Sequence, residues 1–382
     1  MSIDATACTL RVTTAATTAA RARKEINLTA FSLMKASHCA QVAAEDILRG
    51  HIKGFLLRRF AKRTTGKDLL TYIPADWVEA LRNGRAGLIL DHSREGMSYI
   101  RSPMQTWHRQ LKSCGIPPSR VVFITQNRNF QDGYNRWCEE QGVEARITIV
   151  NYDYFISQFC RRSWRDPAAA LVKKIRYFEN RTEIEKRFVC LNYIPRPFRI
   201  ALLTRLIKDN YWDDGFISFG GFELGKRKRS HTHSREINRF RRHSLAASSE
   251  AYLEALAAKG RVLFGKAKTG GHPRWLTGDD MTNIYRCSAF TLVTETEMSP
   301  TAHRITEKSL KPLANCHPAI LFANYRALAL LKSFGFKTFE PWIDEGYDAI
   351  EDPEARFLAA YEAFRQFYKT AWDRLREDRE LR

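Results

Sequence analysis

Ala289-Phe290-Thr291-Leu292-Val293-Thr294-Glu295-Thr296-Glu297, followed after a short loop by Arg304-Ile305-Thr306-Glu307-Lys308-Ser309-Leu310-Lys311-Pro312-Leu313-Ala314, is the stretch whose reading decides the fold. Its first part is apolar and β-branched and reads as a buried strand ending in two carboxylates. Its second part reads as a helix start with a Thr, a Glu and a Lys in the first turn. The next strand follows at once in His317-Pro318-Ala319-Ile320-Leu321-Phe322-Ala323-Asn324. A strand tip facing a helix N-terminus makes a polar edge on an α/β sheet, where backbone N–H groups and a Lys can hold an anionic ligand.

Outward from that stretch, strands of four to six apolar residues alternate with helical segments, the pattern of a parallel sheet covered on both faces. Residues 67–182 read as a first Rossmann-like unit with strands at Ala86–Asp91, Val121–Thr125 and Arg146–Asn151. Each strand ends in polar residues: Asp91-His92-Ser93-Arg94-Glu95, Gln126-Asn127-Arg128 and Asn151-Tyr152-Asp153. Residues 183–342 read as a second unit, opening with a strand at Arg187–Asn192 and a Pro-bounded turn, Tyr193 to Pro197, into a helix. Such a turn has phosphate-loop geometry without the glycines, and it carries Arg196 and Arg199.

A chain of 382 residues suits two such domains, since single domains run to about 100–200 residues. Residues 1–30 are expected to be a disordered tail, rich in Thr and Ala with no apolar core of signal-peptide length. Residues 31–66 are expected to form a basic helical extension, because Ile47, Leu48, Ile52, Phe55, Leu56 and Phe60 recur at helical spacing. No apolar run approaches the roughly 20 residues that cross a bilayer. Eight cysteines are scattered with no C-x-x-C pair, which favours a reducing, cytoplasmic compartment.

The net charge of +20 concentrates in Leu57-Arg58-Arg59-Phe60-Ala61-Lys62-Arg63 and in Lys226-Arg227-Lys228-Arg229, continued to His243. Nucleic acid, anionic lipid or an anionic saccharide substrate would suit it, as would a simply solvated basic face. With no zinc-finger spacing, RNP-type aromatics or helix-turn-helix, nucleic acid is the weakest of these partners. Contact with an anionic membrane surface stays open.

The strand Phe290–Glu295, the helix start Ile305-Thr306-Glu307-Lys308 and the apolar strand Ala319–Phe322 behind His317-Pro318 resemble the donor half of GT-B-fold glycosyltransferases of fucosyltransferase type. The resemblance covers roughly the last half of the chain. It departs at Thr296, where an Asn is usual, and this bears on the sugar donor. It implies a GT-B-like α/β fold: two Rossmann-like domains facing a cleft, a helical N-terminal extension and a C-terminal crossover helix, residues 343–382, returning to the first domain. That helix would begin after Glu351-Asp352-Pro353 and bury Phe357, Tyr361, Phe364, Phe367 and Tyr368 there. The implied activity is metal-independent transfer of a sugar from a nucleotide-sugar donor, with no separate cofactor, to a glycan or lipid-linked acceptor. Synthesis of bacterial surface polysaccharide would suit it.

Such chemistry needs a base for the acceptor hydroxyl and cations for the leaving diphosphate. Asp91, His92 and Glu95, at a strand end of the first unit, are the candidate bases, with Asp153 as a further strand-end carboxylate. Arg196, Arg199, Arg304 and Lys308 are the candidate cations, and Thr306 opens the helix beside them. Glu295 and Glu307 would accept hydrogen bonds from ribose or sugar hydroxyls, as the resemblance implies. No DxD triplet closes a strand, and His231, His233 and His243 lack ligand spacing, so no metal is expected. Two other readings stand beside the enzyme: a non-catalytic binding module on the same frame, and a basic nucleic-acid-binding protein.

Overall fold

The computed structural model describes residues 9–14, 24–27, 53–58, 73, 75–93, 101–163, 184–222, 236–264, 284–315 and 317–377. They form two compact α/β units: Met1–Tyr154 with Thr301–Arg304, and Phe155–Pro300 with Ile305–Arg382. The division falls before the boundary at 182/183 read from the sequence.

Unit 1 holds β1 (Thr9–Thr14), β2 (Lys24–Asn27), β3 (Lys53–Arg58), β4 (Ala86–His92), β5 (Val121–Thr125) and β6 (Thr148–Asn151). They lie in the order β2-β1-β3-β4-β5-β6. Only β1 and β2 pair antiparallel. Three helices accompany them: α1 (Ala75–Arg82), α2 (Arg101–Ser113) and α3 (Phe130–Glu140). Leu88, Leu90, Val121 and Phe123 share a core with Trp77, Leu81, Met104, Trp107, Phe130 and Tyr134. Ile89 and Ile124, alternating with them, are buried too. Burial on both faces is why these strands read as continuous apolar runs.

Two expectations for the N-terminus are corrected here. The expected disordered tail contains β1 and β2, and the expected helical extension contains β3. Thr9-Leu10-Arg11-Val12-Thr13-Thr14 is β-branched and suits a pleated surface. Lys53-Gly54-Phe55-Leu56-Leu57-Arg58 pairs in register with Ala86 to Asp91. An apolar run that short fits both helical and strand periods, and pairing with a buried strand decides between them.

After α4 (Tyr154–Ser163), unit 2 holds β7 (Lys186–Leu191), β8 (Gly215–Ser218), β9 (Ser288–Thr294) and β10 (Ala319–Phe322), all parallel, in the order β10-β9-β7-β8. Its helices are α5 (Pro197–Lys208), α6 (Leu253–Ala258), α7 (Glu307–Ala314), α8 (Ala327–Ser333) and α9 (Pro353–Glu377). Every residue of β9 and β10 is buried. The chain proceeds outward from β7 to β8, then resumes on the other side of β7 with β9 and β10. The order therefore reverses between β7 and β9, and such a switch point opens a crevice at the carboxyl ends of the two strands.

α9 starts where the sequence indicates. Asp352 Oδ1 accepts from the backbone N–H of Glu354 and Ala355 at 3.1 and 2.7 Å, and Pro353 follows it where a missing N–H costs nothing. The aromatic face expected against the first domain lies on the sheet of unit 2 itself. Phe364 meets Phe188 and Tyr211 at 5.6 and 5.1 Å between ring centroids, Phe367 meets Phe290 at 5.1 Å, and Phe357 meets Phe322 at 5.3 Å. A four-stranded sheet of unbroken apolar strands needs such a cover, and α9 supplies it.

Candidate functional site

The carboxyl ends of β7 and β9 meet in a web of polar bonds. Asn192, directly after β7, donates its backbone N–H to the carbonyl and hydroxyl oxygens of Ser218 at 3.0 and 2.9 Å. The Thr294 hydroxyl donates to Asn192 Oδ1 across the switch point. Cys190, beneath them, is fully buried, and burial pushes its thiol up to about 12, so it acts as a core residue.

Arg199 bridges the same crevice. Its Nη2 donates to the carbonyls of Thr294 and Glu295 at 3.2 and 3.3 Å, and its Nη1 to that of Ile194 at 3.1 Å. Burial, and then the neighbouring Arg196, lower its pKa to about 10, while Glu295 and Glu307 oppose the shift. Arg199 thus ties the turn after β7 to the end of β9. Gly220 makes that turn possible, because a Cβ there would lie 1.9 Å from the Tyr193 carbonyl oxygen.

Arg196 occupies the N-cap position of α5, with Pro197 behind it, and makes no capping bond with its side chain. The first turn of this twelve-residue helix faces the crevice uncapped by a side chain. The N-terminus of α7 differs. Thr306 Oγ1 accepts from the Lys308 backbone N–H at 3.3 Å, and the Glu295 carboxylate sits over the same turn. Glu295 Oε1 accepts from Thr306 N and Ser309 Oγ at 3.1 and 2.7 Å, and Oε2 from Thr306 Oγ1 and Thr296 N at 2.6 and 3.3 Å. Four donors fill the lone pairs of that carboxylate.

The α7 cations point to different neighbours. Lys308 Nζ lies 2.9 Å from Glu307 Oε1 and 3.2 Å from Thr306 Oγ1. Lys311, one turn on, is half-buried with no ion pair among the described residues. Burial lowers its pKa, Glu307 opposes the shift and Lys308 adds to it. Glu307 and Lys308 lie four and three positions before Lys311, the spacings that make each its neighbour on the helix surface. That spacing is the sequence signal for Lys311, which is not among the residues expected from the sequence.

The other expected residues lie elsewhere. Arg304 is buried and belongs to unit 1, in the segment Thr301–Arg304. Asn127 holds that segment, donating through Nδ2 to the Thr301 carbonyl and accepting the His303 N–H, both at 2.9 Å. His92 is buried and stacks on Phe123 at 5.7 Å. Asp91 is the last residue but one of β4, opposite Ile124. Glu95, His231 and His233 lie outside the described residues, as does most of the basic insert. Asp153 pairs with Arg128 at 2.9 Å. Among the described residues no group of His, Cys, Asp or Glu is placed to hold a metal, and no helix is long and apolar enough to cross a membrane.

No family model matches the chain, and no curated protein matches it in sequence. Among solved structures it is similar to an α,α-trehalose 6-phosphate synthase from Burkholderia multivorans, at 12% identity and a TM-score of 0.40, over 89% of this chain and 69% of that one. It is also similar to a UDP-forming α,α-trehalose-phosphate synthase from Burkholderia vietnamiensis, at 12% identity and 0.38, over 89% and 74%. The Glycosylation Associate Protein (Gap123) complex from Streptococcus agalactiae matches at 10% identity and 0.26, over 86% and 57%. Likenesses this distant say nothing of this chain's chemistry.

Proposed function

We propose that the protein is a glycosyltransferase of GT-B type that takes a nucleotide sugar at the carboxyl edge of unit 2. One observation carries the reading. The switch point between β7 and β9 is ringed by Arg196 and Arg199 from α5 and by Lys308 and Lys311 from α7, beside a helix start without a side-chain cap. A nucleoside diphosphate needs such a setting, because backbone N–H groups and cations share the charge of the leaving group. With that charge on Arg and Lys side chains, the reading assigns the reaction no metal and no separate cofactor. The sequence resemblance supplies the sugar chemistry and points to fucosyltransferase-type donors.

In this reading α5 takes the diphosphate, since Glu295 already covers the α7 N-terminus. Glu295 holds the frame, and Glu307 and Thr306 orient Lys308. The acceptor is a glycan or lipid-linked saccharide, and bacterial surface polysaccharide synthesis is the setting. The basic insert then faces anionic acceptor or the cytoplasmic membrane surface.

A second reading has its own support. Arg199 is engaged by three carbonyls and Lys308 by Glu307, as in a frame that binds ligand without turning it over. Thermal-shift screening with UDP, GDP, CMP and their sugars tests the binding both share, because a ligand of the native state raises the melting temperature. Release of free nucleoside diphosphate from the best sugar nucleotide then separates enzyme from module. No shift with any of them ends both readings.

A further inference from the structure

Glu236 begins the described end of the basic insert, at the start of a short helical stretch, 236–240. Its side chain is only 4% exposed. Oε1 lies 3.0 Å from Arg239 Nη1 and 3.6 Å from Arg196 Nη1, whereas Oε2 has no hydrogen-bond partner and is buried. Among the arginines whose buried Nε–H has no hydrogen-bond partner, Arg196 is the one paired with Glu236, and Arg199 is another. Arg196 links Glu236 and Arg199, paired with the one and acting electrostatically on the other.

Buried polar atoms without partners are costly, and each needs a reason. A phosphate oxygen set against Glu236 Oε2 would satisfy the Nε–H donors, but it only accepts and would be repelled by the bare carboxylate oxygen, so the diphosphate of the nucleotide reading takes the backbone N–H groups of the α5 start and leaves this position to another group. A hydroxyl both donates and accepts. The geometry points to a hydroxyl-recognition subsite in which a ligand hydroxyl donates to Glu236 Oε2 and accepts from the Nε–H of Arg196. Two guanidiniums hold the carboxylate in place, and His243, further along the same segment, is anchored to Glu354 at 2.9 Å, so the described end of the insert is fixed on unit 2. The insert therefore contributes a specificity determinant as well as charge.

This inference rests on the nucleotide-sugar reading, in which the hydroxyl belongs either to the ribose or to the transferred sugar. Calorimetric titration of the full chain separates them. The probes are UDP and GDP, their 2′-deoxy and 3′-deoxy forms, UDP-glucose and GDP-fucose, each with wild type and Glu236→Gln. A ribose hydroxyl shows as a preference of about tenfold for the ribonucleotide over a deoxy form. A sugar hydroxyl shows as a similar preference for a sugar nucleotide over its bare diphosphate. Either preference should vanish in Glu236→Gln, whose amide keeps the shape but can turn a donor toward the hydroxyl. If that variant does not fold, the ribo, deoxy and sugar comparison on wild type still decides, and equal affinities throughout would overturn the subsite. So would a preference that survives the substitution. Failure of wild type to bind any of these nucleotides would instead remove the nucleotide reading, and this subsite with it.

Discussion

Glu295 receives both the backbone N–H and the hydroxyl of Thr306, at 3.1 and 2.6 Å, so the strand end and the helix start are locked through one carboxylate. The pair lies eleven residues apart with the loop Thr296–Ile305 between them. Glu295 does here what a bound anion does at other helix starts. A carboxylate with four donors is a structural anchor, and its loss should register first in stability.

Glu295→Gln therefore should destabilise unit 2 by about 1–3 kcal/mol, because the amide turns a donor toward groups that already donate. Glu295→Ala should cost more, leaving buried donors without an acceptor. Thermal melts of the purified chain check both, and an unchanged midpoint in the Ala variant would show that the anchor contributes nothing.

Lys311 should matter more to anion binding than Lys308. Lys308 is held by Glu307 and Thr306, while Lys311 is desolvated and has no ion-pair partner among the described residues. Lys311→Ala should weaken binding of the best nucleotide diphosphate by roughly ten- to a hundredfold, as expected for loss of a charge-assisted bond. Lys308→Ala should cost less. The pH dependence has a definite sign, since only the ammonium binds: affinity should fall as pH rises through a Lys311 pKa below 10.5. Titrations at several pH values read it, and the same fall in Lys311→Ala would assign it to another group.

The frame of unit 2 was legible because its signals are local. β9 is a run without a charged residue that carries the β-branched Thr291, Val293 and Thr294, Thr306 and Glu307 mark a helix start, and Asp352-Pro353 marks another. What was hidden depends on distant partners. β3 looked helical because six residues cannot reveal a pairing with β4. Glu236 is one acid within a basic insert, and only burial against Arg196 and Arg239 distinguishes it. The aromatic stripe of α9 announced that it would be buried, but a stripe carries no address, and the sheet it covers lies more than sixty residues earlier in the chain at Phe290.

In unit 1, His108 sets an acid limit. Its pKa is lowered by burial, and its Nε2 lies 2.8 Å from Tyr134 Oη. Tyr134 Oη accepts the Ile147 N–H at 2.8 Å, and a neutral His108 with Nε2 unprotonated can accept the tyrosine proton. A histidine with a depressed folded pKa contributes stability above its unfolded value of 6.5, and the contribution is lost as pH falls from there through the folded pKa. His108→Gln should flatten the dependence of the melting temperature on pH below 6.5. An identical acid slope in the variant would remove His108 from the account.

Arg356 should prove a stronger fastening of α9 than its aromatic residues. Its guanidinium is almost wholly buried and donates to the carbonyls of Ala323, Met298, Ile350 and Glu351, at 3.0, 2.6, 2.5 and 2.7 Å. One side chain thus holds the end of β10, the loop after β9 and the turn before α9. Phe364→Ala should cost about 3–5 kcal/mol through the cavity it leaves. Arg356→Met keeps much of the volume, yet it strips four carbonyls of their donor, and those of Ala323 and Met298, in buried bonds, cost about 1–3 kcal/mol each, while water can reach those of Ile350 and Glu351. Arg356→Met should therefore melt at or below the temperature of Phe364→Ala. If the Met variant instead melts close to wild type, the carbonyls have found other donors, and α9 is held by its aromatic packing alone.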